Sequence, residues 1–318
     1  EKKFFKETPL DSPISWQITP PLYNDYERSF NIVKSNIMAG NSYLTNLTNR
    51  VPVSCNLSLE EIFHRAKGKY KLLLRRKRTQ AEDKAHLKEE NIEENLTPFV
   101  CFSPETFVRI KGGRIYSYPM KGTLDASLPN AEKLLMEDRK EAAEHATIVD
   151  LIRNDLSRVA EDVRVDKYRY VDVLHTNKGD ILQTSSEISG RLPEDYPHHL
   201  GEILDAQLPA GSITGAPKDK TMQIIQEAEG YDRGFYTGIM GIYDQGELNS
   251  AVMIRFIEEE ETSPVDFEAD GEKNFKANEG KKPKKSRKLY FKAGGGITSK
   301  SDCRREYEEV IQKIYLPI

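Results

Sequence analysis

The stretch that decides the fold is Gly234–Glu258, "GFYTGIMGIYDQGELNSAVMIRFIE". Two apolar runs flank Gln245-Gly246, a pair suited to a tight turn between strands. The spacing predicts two antiparallel strands joined directly, with no crossover helix between them. The same reading extends outward. "FVCFSPETFVRIKGGRIYSYPMKGT" reads as strands hinged at Gly112-Gly113, and "SYLTNLTNRVPV", "YRYVDVLHT", "DILQTSSEISG" and "KLYFKAGGG" read as further strands. Helices fall between them. One starts at about Tyr23, with Tyr26, Phe30, Val33 and Ile37 at helical spacing and Gly40 as its stop. Others are "SLEEIFHRAKG" behind an N-cap at Ser58, a long pattern from Asn130 to about Ala160, "HHLGEILDAQL", "DKTMQIIQEAEG" and a final "SDCRREYEEVIQKIY". Strands and helices alternate without βαβ regularity, which places the chain in the α+β class.

Bulk composition narrows the partners. Among 318 residues, 47 basic and 51 acidic side chains leave a net charge of -4, so nothing favours nucleic acid or an anionic membrane. The three cysteines, Cys55, Cys101 and Cys303, have no paired spacing, which argues against a disulfide framework or zinc site and fits a reducing cytoplasm. No apolar run reaches ~18 residues, so no transmembrane helix is expected. The opening "EKKFFKETPLDSP" lacks the apolar core of a signal peptide, and it does not start with Met.

Charge is concentrated in two places. Residues 75–97 carry six basic and six acidic residues with almost nothing to bury, and 258–288 carry nine acidic residues mostly ahead of eight basic ones. Both read as solvated inserts in the loops of a single catalytic domain spanning 1–318. The cluster "KKPKKSRK" has no interleaved aromatics and is neutralised by acidic neighbours, unlike a nucleic-acid patch.

Several residues could carry chemistry. Lys121 stands at the mouth of the turn in "YSYPMKGTL", either as an ordinary solvated lysine or as an amine presented to a ligand. Glu141/Glu144 and Glu306/Glu309 are i, i+3 pairs on two helices, suited to a hard cation or simply to water. On the last helix, Glu306, Glu309 and Lys313 run beside the apolar face of Cys303, Tyr307, Val310 and Ile314. "AGGGIT" (Ala293–Thr298) lets backbone N–H groups approach an anion or forms a simple turn, and "PAGSITGAPK" (Pro209–Lys218) has the same character. Arg255 lies in the apolar strand "AVMIRFI", where it needs a carboxylate from a ligand or from the protein. Neither GxGxxG nor GxxxxGK[ST] occurs, which argues against a nucleotide site.

In order along the chain, "SPETF", "PMKGT", "EHATIVDLIRNDLSRV", "PAGSITGAPK", "AVMIR", "AGGGIT" and "E-x-x-E-x-x-x-K" resemble the motifs of the chorismate-utilising enzymes. Within them the chain most resembles the branch of aminodeoxychorismate synthase component I, a relative of anthranilate synthase component I. The resemblance covers Tyr23 to Ile318 apart from the charged inserts. It implies two orthogonally packed antiparallel sheets flanked by outer helices (four layers, α/β/β/α), with the site in the cleft between the sheets. It implies chorismate as substrate and Mg²⁺ as cofactor. The metal ligands would be Glu144 and Glu309, with Glu141 and Glu306 as outer, water-bridged carboxylates. Gly122, Thr123, Thr214, Arg255, Gly294, Gly295, Gly296 and Lys313 match substrate-holding positions, and Glu105 matches the general acid.

The resemblance also bears on Lys121. Anthranilate and isochorismate synthases usually have alanine there, whereas aminodeoxychorismate synthases have lysine. The implied mechanism has Lys121 attack C2 of chorismate while the C4 hydroxyl leaves, after which ammonia attacks C4 and expels the lysine. Isochorismate synthases carry a water-activating lysine where Leu44 stands here. Relatives often have His at the position of Gln183 and Tyr at that of Ile242, both near the substrate. The absent N-terminal segment of many relatives makes feedback by a tryptophan-type pocket doubtful. The chain shows no glutaminase signature, so a separate glutamine amidotransferase subunit is expected as ammonia source, in a cytoplasmic route to p-aminobenzoate and folate. The competing expectations are anthranilate synthesis and a chorismate-binding homologue without activity.

Overall fold

A computed structural model describes residues 13–75, 96–176, 179–262 and 286–318. The predicted hairpin is present: β11 (Ile239–Asp244) and β12 (Glu247–Val252) pair from Ile239↔Val252 to Asp244↔Glu247. Gln245 (φ 48°) and Gly246 (φ 81°) are both left-handed, the combination a two-residue turn needs to match strand twist. This hairpin forms one edge of a seven-stranded sheet with β5 (Thr106–Lys111), β6 (Arg114–Ser117), β7 (Met120–Asp125), β8 (Glu161–Thr176) and β9 (Gly179–Arg191). The order is β11-β12-β5-β6-β9-β7, with β8 on the other side of β9. A second seven-stranded sheet runs β1 (Trp16–Ile18), β2 (Leu44–Cys55), β14 (Ser286–Ile297), β13 (Phe256–Thr262), β4 (Phe99–Ser103), β3 (Tyr70–Leu74), and β10 (Gly215–Ala216) adds to β2. Every strand pairing recorded in the two sheets is antiparallel, as the α+β reading expects.

Helices cover the outer faces. α1 (Tyr23–Met38) buries Tyr26, Phe30, Val33 and Ile37. It shares a core with α2 (Leu59–Arg65), α7 (Lys218–Glu229), α8 (Cys303–Gln312) and the β2 and β14 side chains Leu47, Val51, Phe291 and Ile297. Ser58 caps α2 in a reciprocal capping box with Glu61. On the other sheet, α4 (Arg139–Leu156), α5 (Leu200–Gln207) and α6 (Gly211–Thr214) cover Val108, Ile110, Ile115 and Ile188. A smaller core joins the sheets: Phe99 stacks on Phe256 at 4.4 Å, with Tyr236, Met253 and Met240 around them. Among the described residues no helix is long and apolar enough to cross a membrane.

Three expectations change. The helical stretch from Asn130 is two helices, α3 (Ala131–Glu137) and α4, because Asp138 leaves helical geometry to accept the Glu141 N–H at 3.0 Å. Arg255 is not a strand residue; it links β12 to β13 in a left-handed conformation (φ 56°). The glycines of "AGGGIT" lie in β14, as the strand reading of "KLYFKAGGG" expects and not in a turn, with Gly294, Gly295 and Gly296 opposite Thr48, Leu47 and Asn46. The ends of the second charged stretch are strand: Glu258–Thr262 belongs to β13 and Ser286–Lys288 to β14. Glu258 tolerates burial there because Arg50 Nε (2.6 Å) and Lys292 Nζ (2.7 Å) both pair with it. Apart from Arg75, Leu96 and Thr97, the first charged stretch lies outside the described residues, as does the middle of the second.

One glycine is a strict requirement. Gly215 has φ 125°, and a Cβ there would stand 1.9 Å from the Leu44 carbonyl oxygen. Gly215→Ala must therefore separate β10 from β2, and we expect a stability loss of about 3 kcal/mol or more, read as a lowered urea midpoint.

Candidate active site

Lys121 is presented by a bulge. Gly122 (φ 68°) shifts the β7–β9 register between Lys121 and Thr123, and the buried Thr184 hydroxyl donates to the Lys121 carbonyl. A Cβ on Gly122 would press on Glu141 Oε2 at 3.1 Å, so the glycine also admits the α4 carboxylates. The Lys121 amine lies 3.5 Å from Glu144 Oε2. It also lies 3.6 Å from where a Gly296 Cβ would stand, with Leu44 Cδ1 3.0 Å from the same point. The amine thus sits between a carboxylate, an apolar wall and bare backbone, and it is not a solvated surface group. Thr123 follows the bulge, exposed and paired with Gln183.

The bare β14 backbone is the floor of the site. β13 stops pairing at Phe256↔Lys292, which leaves one edge of Gly294–Gly296 without a β13 partner. Over Gly295 converge three side chains of α8 and its C-cap: a Cβ there would meet Glu306 Oε2 at 3.6 Å, Lys313 Nζ at 3.7 Å and Glu309 Oε1 at 3.9 Å. Asp302 fixes the start of α8 by accepting the Arg305 N–H. Lys313 bonds Glu309 Oε1 at 2.7 Å and donates to the Gly294 carbonyl at 3.0 Å. Burial pulls Lys313 below the usual lysine range, against the pull of Glu309, and the positive charges of Arg255 and Lys121 lower it further.

Glu105 closes the opposite side. It sits in the turn between β4 and β5, and the Ser212 hydroxyl on α6 donates to its Oε1 at 2.5 Å. Burial raises its carboxyl above the usual range, opposed by the Ser212 hydrogen bond and by Arg255 and Lys121. A carboxyl that burial lifts above its ordinary range, against two opposing cations, is the kind of group that can serve as an acid catalyst. Thr214 Oγ1 and Arg255 Nε are buried with no hydrogen-bond partner among the described residues. Both are therefore free to bond a ligand that enters the cleft.

Beneath the carboxylates, His145 is fully buried and bonds Ser186 Oγ at 2.6 Å, which ties α4 to β9. Burial first, then Arg169 and Lys121, holds its imidazole down at about 4, so it is neutral at physiological pH. The resemblance placed Ile242 near the substrate, but it stands 76% exposed on the edge strand β11.

The four carboxylates suit Mg²⁺ in kind, being hard oxygen donors on two helices that flank the glycine floor. Among the described residues, however, no three acidic, His or Cys side chains converge as a metal centre. The inner pair, Glu144 and Glu309, each hold a lysine, so ammonium groups and a cation would compete for the same oxygens.

Sequence reading missed Thr184 and the role of Ser212. The available signal was "QTSSEIS" in β9, where Thr184, Ser185, Ser186 and Ser189 are all buried despite being polar. Buried hydroxyls in a strand ask for partners, and here Thr184 holds the Lys121 carbonyl while Ser186 holds His145 and the Arg169 backbone N–H.

Residues 2–269 match the family model described as chorismate binding enzyme. A Haemophilus influenzae protein called "Uncharacterized PabA-like protein" is 47% identical over 311 residues, covering 98% of this chain and 81% of that protein. The anthranilate synthase component 1 of Aquifex aeolicus is 34% identical over 223 residues, covering 66% of this chain but 38% of that protein. The crystal structure of anthranilate synthase component I from Streptococcus pneumoniae superposes with a TM-score of 0.70 at 24% identity, covering 96% of this chain and 60% of that one. That likeness carries the two-sheet fold.

Proposed function

The chain belongs to the family of chorismate binding enzymes, and from that premise we propose that it aminates chorismate to 4-amino-4-deoxychorismate through a covalent bond to Lys121. The observation that carries this reading is the placement of the Lys121 amine above Gly296, between Glu144 and Leu44, with Glu105 within the electrostatic reach of both Lys121 and Arg255. In the first step the Lys121 nitrogen bonds to C2, the ring double bonds shift, and the C4–O bond breaks. Glu105 gives its proton to the departing hydroxyl, which leaves as water. In the second step ammonia attacks C4, the double bonds shift back, and the C2–N bond to Lys121 breaks. The proton lost by the incoming nitrogen restores the Glu105 acid. Two substitutions replace one harder one.

Arg255, Thr214 and the Gly294–Gly296 backbone bind the substrate carboxylates and ring oxygens, while Lys313 adds a cation at the same floor. Mg²⁺, held by Glu144 and Glu309 with support from Glu141 and Glu306, would neutralise the ring carboxylate when bound. Leu44 stands where isochorismate synthases carry a water-activating lysine, which disfavours hydroxylation. Ammonia would come from a glutamine amidotransferase subunit in a cytoplasmic route to p-aminobenzoate and folate.

Incubating the protein with chorismate, Mg²⁺ and ammonium, then adding the lyase that removes pyruvate, should yield p-aminobenzoate. Anthranilate formed without the lyase would instead assign the chain to the other aminating branch, and isochorismate would exclude amination.

A further inference from the structure

Ser212 is aimed at Glu105 by a buried scaffold. Gly211 lets α6 lie directly on α4, since a Cβ there would come 2.6 Å from Leu151 Cδ2. Behind α6, Lys218 Nζ pairs with Asp155 Oδ2 at 2.8 Å and donates to the Gln207 carbonyl at 3.0 Å, while Gln207 Nε2 donates to the Asp155 carbonyl at 2.9 Å. Between this scaffold and Glu105 lies a cavity of about 30 Å³, lined in part by Glu105, Ser117, Asp155, Gln207 and Ser212. It exceeds the roughly 10–15 Å³ that one water occupies, and polar side chains stand among its apolar lining, so it has room for a water beside the carboxyl. A water admitted there would give the Glu105 carboxyl a competing partner.

We propose that Ser212 is a positioning residue for Glu105: its hydroxyl occupies Oε1 and so confines the acidic proton to Oε2. This rests on the reading of Glu105 as the acid and names how its proton is directed. A neutral carboxyl accepts hydrogen bonds on its carbonyl oxygen and donates only from the other oxygen. With Oε1 engaged by Ser212, the protonated carboxyl has one orientation. Without that donor the proton distributes over both oxygens, and either can turn to a partner in the cavity.

The charged groups around Glu105 are Arg255 and Lys121 on the cleft side and Asp155, paired with Lys218, across the cavity. The Ser212 bond favours the carboxylate form, so losing it moves the titration of Glu105 upward. The test uses protein carrying ¹³C-carboxyl glutamate, with the Glu105 resonance identified by its loss in Glu105→Gln, and titrates it without substrate. In Ser212→Ala, shown folded by circular dichroism, the midpoint should rise by about one pH unit. Below that midpoint chorismate consumption should fall about tenfold, as misdirection forfeits part of an acid's contribution. Ser212→Thr, which keeps the hydroxyl, should restore both. An unmoved midpoint in Ser212→Ala overturns the proposal whatever the rate does. If Glu105→Gln keeps full turnover while the midpoint still moves, the acid assignment fails and the hold of Ser212 on Glu105 stands.

Discussion

Glu144→Ala and Glu309→Ala should each lower chorismate turnover about 10³-fold while leaving the thermal midpoint within a few degrees of the parent. The reason lies in where the two carboxylates stand. Glu144 reaches from α4 to the Lys121 amine, and Glu309 from α8 to Lys313 over Gly295. Both ion pairs are partly exposed, with side-chain exposures of 26%/20% and 26%/54%, so removing one carboxylate costs little stability. Function is different, because each variant removes a donor proposed to hold the cation and strands a lysine without its counter-charge. Several kcal/mol of charge stabilisation, at about 1.4 kcal/mol per tenfold, sets the size of the loss. Glu141→Gln and Glu306→Gln should cost only about 10-fold to 100-fold, as supporting groups do. Initial rates against Mg²⁺ concentration separate the cases. A Glu144→Ala or Glu309→Ala protein with near-parent rates at modest Mg²⁺ would remove that residue from the proposed ligand set.

Lys121→Ala should reduce amination roughly 10²-fold, a barrier rise of about 3 kcal/mol, with the residue of activity coming from direct attack of ammonia. Lys121→Arg should be no better. Its guanidinium keeps a positive charge near Glu144 but offers no nucleophilic amine. The comparison therefore isolates nucleophilicity from charge, which Lys121→Ala alone cannot do. If Lys121→Arg restores the rate, the lysine serves as a cation and not as an attacking group.

Much of this arrangement could be read in the sequence, and the failures have physical causes. The hairpin across Gln245-Gly246 and the apolar positions of α1 were legible because turn chemistry and helical period are local properties. Asp138 was not, since it sits in an unbroken helical pattern and ends α3 only by capping the next helix. Arg255 reads as a strand residue between apolar neighbours, yet its left-handed backbone turns the chain from one sheet to the other. The glycine triplet was legible as the end of the strand "KLYFKAGGG", and there it leaves a strand stripped of side chains. At Gly294 even a Cβ would approach the Leu47 carbonyl oxygen to 2.6 Å. For the site, family motifs pointed to the right residue types but not to their contacts. That Lys121 meets Glu144, or that Ser212 meets Glu105 across 107 positions, depends on how β7, α4 and α6 pack.

The most direct test of the central claim, that Lys121 is the nucleophile, is intact-protein mass spectrometry with chorismate and Mg²⁺ but no nitrogen donor. With ammonia withheld, the second substitution cannot proceed and the first product accumulates. The protein should gain the mass of chorismate less one water, and peptide mapping should place that mass on Lys121. Lys121→Ala and Lys121→Arg should show no gain. An unmodified protein that still aminates chorismate once ammonium is added, or the same added mass on another residue, would contradict the account.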